Sequence, residues 1–516
     1  MNQNNISAAE LFLRVRELLI LPELEPKTRN KMMHDTLILC CHEGVKETKQ
    51  AFGNLFSQVD YLCKAHGIKV ADKIAIQTMR RHSNSQEPLS SEDLKYDARA
   101  LAIFISAVFG VDVPHELNVL IPHTNRPYQK GLEINNRRIR CIVKNWDSDF
   151  IRVDIDQDAD EEEYLVQLKD EENHIDHTYL WDILKEGMQL NLLDCQVKQP
   201  VITPRLIVVE PDYLVDISSI ATCFTAFGHH PLLYLLNQMK PRANTQATLL
   251  GNFAGAALDD IINTNGKYQM NETIKTNFRE KALEFCTCPW FDAKKFYTDA
   301  SLQAFNLQQV VDILFPRTAS QAQMSAFRGE SLYDRKKAIL EPSFVCEALG
   351  IQGRVDLMTT DCKLLVEQKS GRNMNIETHQ VDPGYHSYQL EPHYVQLLLY
   401  YGVLQHNFKL SNDRVNIRLL YSKYQPQDGL MVVAYYHKLF QEAITYRNQL
   451  VAASFEIAKE GFEHALNEFT PDVLNVAGTQ DFFYNKYLKP QIEAITSPLH
   501  NLTPLEEAYF CRMMTF

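Results

Sequence analysis

The stretch from Gly353 to Gly371, GRVDLMTTDCKLLVEQKSG, restricts what this chain can fold into more than any other. A β-type run over Gly353–Met358 carries Asp356, and a polar turn covers Thr359–Lys363. A second β-type run, Leu364–Lys369, carries Glu367, Gln368 and Lys369. Side chains alternate faces along a strand, so Leu365, Glu367 and Lys369 share one face while Leu364, Val366 and Gln368 share the other. Pairing the two runs as a hairpin brings Asp356 beside Glu367 and Lys369.

Two carboxylates and an ammonium gathered on a hairpin suit a hard divalent cation, Mg²⁺ or Mn²⁺, held by oxygens with waters completing its shell. Such a cation polarises a phosphate oxygen, and a neighbouring lysine orients water or offsets developing charge. The same letters also serve an ordinary surface hairpin with a salt bridge. A helical stretch follows over 386–408, where Gln396 and Tyr400 lie four apart on one side, with His393 three before Gln396. Val395, Leu397, Leu398 and Leu399 are apolar, so this Gln and Tyr need polar partners or water.

The order GRVD, then EQK, then QLLLY resembles the motif set of RecB-type nucleases of the PD-(D/E)xK superfamily, most like the nuclease part of the bacterial and eukaryotic replication nuclease–helicase group. Leu249–Asn263 resembles the opening helix of those nucleases: Gly251 matches, but Gly255 stands where the family has a metal-binding His. Asp259 and Asp260, one turn on, are the acids that would substitute for it, or are solvent-facing helix residues. The resemblance implies a DNA nuclease acting on single-stranded or flap DNA in replication or repair. Asp356, Glu367 and the backbone carbonyl of Gln368 would hold the metal, Lys369 would position water, and Gln396 and Tyr400 would steady the lysine or grip the phosphate backbone. Glu347, read as lying on the strand before Asp356, is an accessory candidate, as is Asp259. A catalytically weakened module that binds nucleic acid or docks a helicase or repair partner is the alternative, motivated by the lost His. Relatives often carry an iron–sulfur cluster. Cys223 stands near the first ligand position, but Cys511 is the only cysteine after Tyr400, so no cluster is expected.

The expected fold class is a multidomain α+β or α/β chain. It comprises a helical N-terminal domain over 1–122, a β-rich, OB-like barrel domain over 123–212 and a restriction-endonuclease-like core over 213–470. That core has a mixed sheet flanked by helices. A helical tail over 471–516 would, in the resembling group, lead to a helicase part in the same longer chain or a helicase partner. The length of 516 residues fits several domains. The charge of −13 argues against a nonspecific polyanion coat but not against a local basic groove. Eleven scattered cysteines without a disulfide-like framework, no apolar run long enough for a membrane and no secretory-type start lead to the expectation of a cytoplasmic protein with no membrane partner. No Gly-rich Walker lysine motif occurs, so the chain is not expected to be a nucleotide-driven motor.

Within these units, Ala8–Leu21, Thr36–His66, Asp72–Arg81 and Leu94–Phe109 show helical apolar spacing. The cluster Arg80–Arg81–His82–Ser83–Asn84 either touches a phosphate backbone or simply ends a helix, where cations suit the dipole. Short β-type runs over Arg138–Glu210 suggest a small barrel, and the acidic stretch Asp154–Glu163 the tip of a hairpin. Thr273–Lys337 reads as a helical insert ending in a basic patch (Arg328, Arg335, Lys336, Lys337), which lines a substrate path or is a solvated helix end.

Overall fold

The computed structural model describes residues 6–21, 25–85, 87–126, 132–155, 163–225, 228–240, 244–380, 387–410, 414–468, 482, 484–499 and 501–516. Most of the acidic stretch Asp154–Glu163 and the start of the tail at 471 lie outside the described residues. The fold is mixed α+β, with several sheets and one small closed barrel. Among the described residues, no helix is long and apolar enough to cross a membrane.

The central sheet has six strands in the order Ala51–Phe52, Leu430–Val433, Asn416–Tyr421, Leu364–Lys369, Leu357–Thr359, Ala338–Leu340. Leu364–Lys369 runs parallel to Asn416–Tyr421 and antiparallel to Leu357–Thr359. A parallel neighbour requires a crossover, and the helix Glu391–Phe408 supplies it. The strand's near-continuous burial follows from helices on both faces. Leu365 packs with apolar residues of Glu391–Phe408 and of the helix His437–Glu460. Leu364 and Val366 pack with the helices Gln246–Asn263 and Ala293–Leu314. The stretch expected as a helical insert is therefore the covering layer of this second face, through Phe296, Ala300, Leu307 and Val310. Two cations of its basic end, Arg335 and Lys337, make structural contacts. Arg335 Nε donates to the Ile262 carbonyl (2.7 Å), capping the helix Gln246–Asn263, and Lys337 pairs with Asp361 (3.0 Å).

The N-terminal helices Ala8–Ile20, Pro26–Gly44, Leu55–Ala65, Val70–Ser83 and Ser91–Phe109 share one core of Leu11, Val15, Leu37, Leu101 and Phe104. The expected helical stretch over Thr36–His66 is interrupted: Ala51–Phe52 forms an edge strand parallel to Leu430–Val433. Residues 46–50 (KETKQ) hold no apolar position to continue a helical stripe, and pairing to a distant strand decides the conformation.

The barrel is closed by Asn136–Trp146, Phe150–Ile155, Tyr164–Gln167, Val201–Val209 and Gln189–Lys198, in that order around the ring. It is joined to the sheet by the helix His437–Glu460. Arg447 is fully buried, and its guanidinium donates to the carbonyls of Gly350 (3.1 Å), Glu210 (2.9 Å), Tyr213 (2.6 Å) and Val209. Asn448 Nδ2 donates to the Ile207 carbonyl (2.7 Å) and the Tyr179 hydroxyl (2.8 Å), and its Oδ1 accepts from the Val209 N–H (3.0 Å). Gly350 lies at φ +61, and a Cβ there would come within 2.2 Å of Arg447 Nη2, so only glycine fits. The last helices, Lys489–Leu499 and Pro504–Thr515, pack with Leu233, Leu236 and Phe462.

Candidate functional site

Asp356 is not inside a strand, contrary to the reading of Gly353–Met358 as one run. Ile351–Arg354 belongs to a separate three-stranded sheet with Ser343–Cys346 and Val215–Asp216, and the chain bends at Val355–Asp356 before joining the central sheet at Leu357. The switch of sheets has a local consequence. Leu357 pairs with Val366 and Met358 with Leu365. One residue beyond the last pair, Asp356 turns its carboxylate onto the neighbouring strand, where Oδ2 accepts from the Gln368 N–H (2.6 Å). A strand residue points its N–H and C=O to the same side, so the Gln368 carbonyl also opens toward Asp356. The next carbonyl, of Lys369, turns the other way and accepts from the Ser422 N–H (2.9 Å).

Alternation delivers Glu367 and Lys369 to the face covered by Glu391–Phe408. Lys369 Nζ donates to Glu367 Oε1 (2.7 Å) and to Gln396 Oε1 (2.8 Å). Glu367 is only 2% exposed, and its second oxygen, Oε2, is buried with no hydrogen-bond partner. Burial, then the neighbouring Asp356 charge, pushes the Glu367 carboxyl up to about 8. Asp356 is also raised, by burial first, against the Gln368 N–H and Lys369, which favour its ionised form. On the opposite face Gln368 Nε2 donates to Ser422 Oγ (2.8 Å), which donates to Gln303 Oε1 (2.7 Å), and Gln303 Nε2 donates to the Ser370 carbonyl (3.1 Å). This chain pins the strand end that carries the charged groups.

Of the remaining candidates, Tyr400 is committed to the backbone. Its hydroxyl donates to the Arg354 carbonyl (2.7 Å), and its ring fills the space a Cβ on Gly353 would take. It therefore supports the bend at Asp356, and it also hydrogen-bonds the side chain of Gln396, the residue that holds Lys369. Glu347 does not lie on a strand leading to Asp356. It sits in the turn after Ser343–Cys346, at the far end of that hairpin from Arg354, exposed, with its carbonyl accepting from Asn191 (3.0 Å). Tight-turn formation at Glu347–Gly350 removes it from the strand on which it was expected.

Asp259 does face the site. Burial, then Glu341, Asp260 and Asp356, raises its carboxyl to about 6. Asp260 is instead bound by the Thr273 hydroxyl (2.5 Å). Gly251, Gly255 and Asp259 recur every fourth residue, one stripe of the helix. A Cβ on Gly251 would touch Ser370 Oγ at 3.2 Å, whereas one on Gly255 would meet nothing within 4 Å. The position expected to carry a His is therefore open space.

Sequence reasoning missed Glu341 and Arg354. Glu341 N–H donates to the Asp356 carbonyl (3.0 Å), and its carboxylate pairs with Arg354 (2.9 Å). It sits at φ +47 immediately before a proline, a conformation rarely adopted by such a residue. The only signal was the Glu-Pro pair that opens EPSF. His393 was singled out only for its spacing. Burial, then the Lys369 charge, drives it down to about 3, so it stands neutral, with Nδ1 against the Tyr421 hydroxyl (3.1 Å).

Among the described residues no three His, Cys, Asp or Glu side chains converge as a closed ligand cage. What is present is an orphaned, buried carboxylate oxygen on Glu367, the Asp356 carboxylate and an open backbone carbonyl. Two carboxylates with water completing the shell is the arrangement Mg²⁺ accepts, without an all-protein cage. The donor set fits a hard divalent cation. Comparison with protein-family models and with curated proteins finds no match to this chain.

Proposed function

We propose that this chain is a metal-dependent nuclease that hydrolyses phosphodiester bonds in DNA, with single-stranded or flap DNA as the expected substrate. The observation that carries the reading is Glu367 Oε2: a buried carboxylate oxygen without a partner, beside Asp356 and Lys369. A buried polar atom left unpaired costs stability, and a Mg²⁺ or Mn²⁺ ion offsets that cost. Asp356, Glu367 and the Gln368 carbonyl would hold the ion, which supplies Lewis-acid polarisation of a phosphate oxygen.

The chain's own residues do the rest. Lys369, held at a fixed place by Glu367 and Gln396, presents its remaining N–H to water or to the phosphate oxygens on which charge builds. Asp259 and Glu341 add negative potential beside Asp356, favouring cation binding. Tyr400 and the Gln368–Ser422–Gln303 chain keep the strand end from shifting, because small misplacements are costly in such a site. The barrel supports the DNA preference by analogy alone, since small closed barrels of this type often bind oligonucleotides. A restriction-endonuclease-like core, a helicase as further partner and a role in replication or repair rest on the resemblance of GRVD, EQK and QLLLY.

The open position at Gly255, with no three-ligand cage among the described residues, favours a second reading, a weakened nuclease fold that binds nucleic acid without cutting it. End-labelled single-stranded and flap DNA incubated with Mg²⁺ or Mn²⁺ separates the two. Cutting that EDTA, Lys369→Ala and Asp356→Ala each abolish, by roughly 100-fold or more, supports the nuclease. DNA binding without cutting by the wild type supports the second reading.

A further inference from the structure

A cavity of about 990 Å³ lies where the N-terminal helices, the barrel and the start of the helix His437–Glu460 meet. None of the candidate site residues lines it. Topology places it at the other end of the sheet. Leu430–Val433 runs antiparallel to Asn416–Tyr421, which is parallel to Leu364–Lys369. The chain therefore leaves Val433 toward Tyr435 at the end opposite Lys369.

The charges around this cavity do not balance. Its carboxylates Asp93 and Asp97 are already taken, by Arg126 and by His82 (2.7 Å). Arg80, Arg81, Arg205 and Lys438 also line it, and among the described residues none of them pairs with a carboxylate. Arg80 is half-buried: its Nε donates to Gln77 Oε1 (2.9 Å) and its guanidinium lies over the Phe56 ring. Arg81 donates only to the Thr78 hydroxyl (3.0 Å), and Arg205 reaches the Leu132 carbonyl at 3.5 Å. Against these cations stands Glu172, exposed. In a chain of net charge −13 this is a local reversal of sign. Aromatic rings share the wall: Phe56, Tyr96, Tyr435 and Tyr436.

We propose that this cavity is a non-catalytic nucleotide-binding site, in which Arg80, Arg81, Arg205 and Lys438 take the phosphates of a nucleoside phosphate and the tyrosines receive its base. Guanidinium groups without carboxylate partners match phosphate geometry, and aromatic faces accept any base. The volume is that of a small-molecule pocket. The shared chemistry is a nucleoside phosphate, either free or at the end of a single strand. The wall also reaches the helix Glu391–Phe408, since the Tyr435 ring packs on Tyr401 with centroids 4.8 Å apart, one residue from Tyr400.

The test measures binding alone, so it does not depend on cleavage. The full chain carrying Lys369→Ala, in EDTA, is titrated against fluorescent N-methylanthraniloyl-ADP and against a short fluorescein-labelled oligothymidylate. The same titrations are run with Arg81→Gln/Lys438→Gln added. Both added substitutions are at exposed positions, so folding is preserved, and circular dichroism checks it. Expected is saturable binding of at least one probe, weakened about tenfold or more for each cation removed. Binding of the ADP probe assigns a free nucleotide, and binding of the oligonucleotide alone assigns a strand end. Failure of both probes to bind, or equal binding by parent and variant, overturns the proposal.

Discussion

Arg447 and Glu367 are both titratable groups buried in one chain, and they are treated in opposite ways. Arg447 lies between barrel and sheet with every nitrogen engaged, almost wholly by backbone carbonyls. Burial lowers it to about 9, still on the charged side at neutral pH. Glu367 lies at the end of the central strand with one oxygen satisfied and the other left bare. A buried charge whose bonds are all met is a fastening. A buried carboxyl left short of a partner, with a second carboxylate beside it, costs stability in its ionised form and is tuned for something not in the chain.

The largest effect expected from this contrast belongs to Arg447. Arg447→Met would leave the Val209 and Tyr213 carbonyls without a donor, at about 1–3 kcal/mol each where water cannot reach them, and would take one of two donors from Glu210 and Gly350, which keep the Tyr213 and Val215 N–H groups. Denaturant unfolding should show a loss of several kcal/mol or an unfolded product, and a near-neutral result would break the contrast.

Glu367→Gln should act in the opposite direction, increasingly so as pH rises from about 4.5 to about 8. The folded-state carboxyl sits at about 8, above its ordinary 4.5. Its share of stability is therefore full below 4.5 and is lost as pH rises through about 8. Thermal melts in EDTA should show the variant gaining on wild type at pH 9 and not at pH 4.5. The same proton must leave before a cation binds, so Mg²⁺ or Mn²⁺ affinity, followed by calorimetry, should rise with pH up to about 8.

A smaller effect is expected for Tyr400→Phe. It removes one hydrogen bond to Arg354 and should cost about 1 kcal/mol. Under the nuclease reading it should lower kcat while leaving DNA binding in place. A loss of binding with kcat unchanged would return Tyr400 to a phosphate-gripping role. The smallest effect belongs to Gly255→Ala. With open space around it, the change should stabilise the helix Gln246–Asn263 by up to about 1 kcal/mol in chemical denaturation.

Alternation made the central strand legible from sequence. It sorted Glu367 and Lys369 from Gln368, and the spacing of Gln396 from Tyr400 put both on the side facing that strand. The bend at Asp356 was not legible, because a change of sheet leaves the apolar alternation of GRVDLM intact. Glu347 was misplaced for a related reason: a tight turn and a strand differ by a few dihedral angles that EALG does not announce. Glu341 and the site-facing side of Asp259 depend on contacts between distant segments, as does the edge strand Ala51–Phe52. Arg447 did leave a trace. It shares a helical stripe with Ala443, Ile444, Leu450 and Val451, and a cation on such a stripe must find acceptors inside the protein.

The Arg447–Asn448 joint also decides how this molecule can be taken apart. The guanidinium and amide come from a helix near the end of the central fold, while the carbonyls they serve come from the last barrel strand and the loops beside it. A fragment ending after residue 212 would carry a barrel whose terminal strand has lost its donors, and would fail for reasons unrelated to any partner. A fragment beginning there would keep a buried cation with half its acceptors gone. Dissection should instead proceed by point changes in the intact chain, or by supplying both pieces together so that the joint reforms between them.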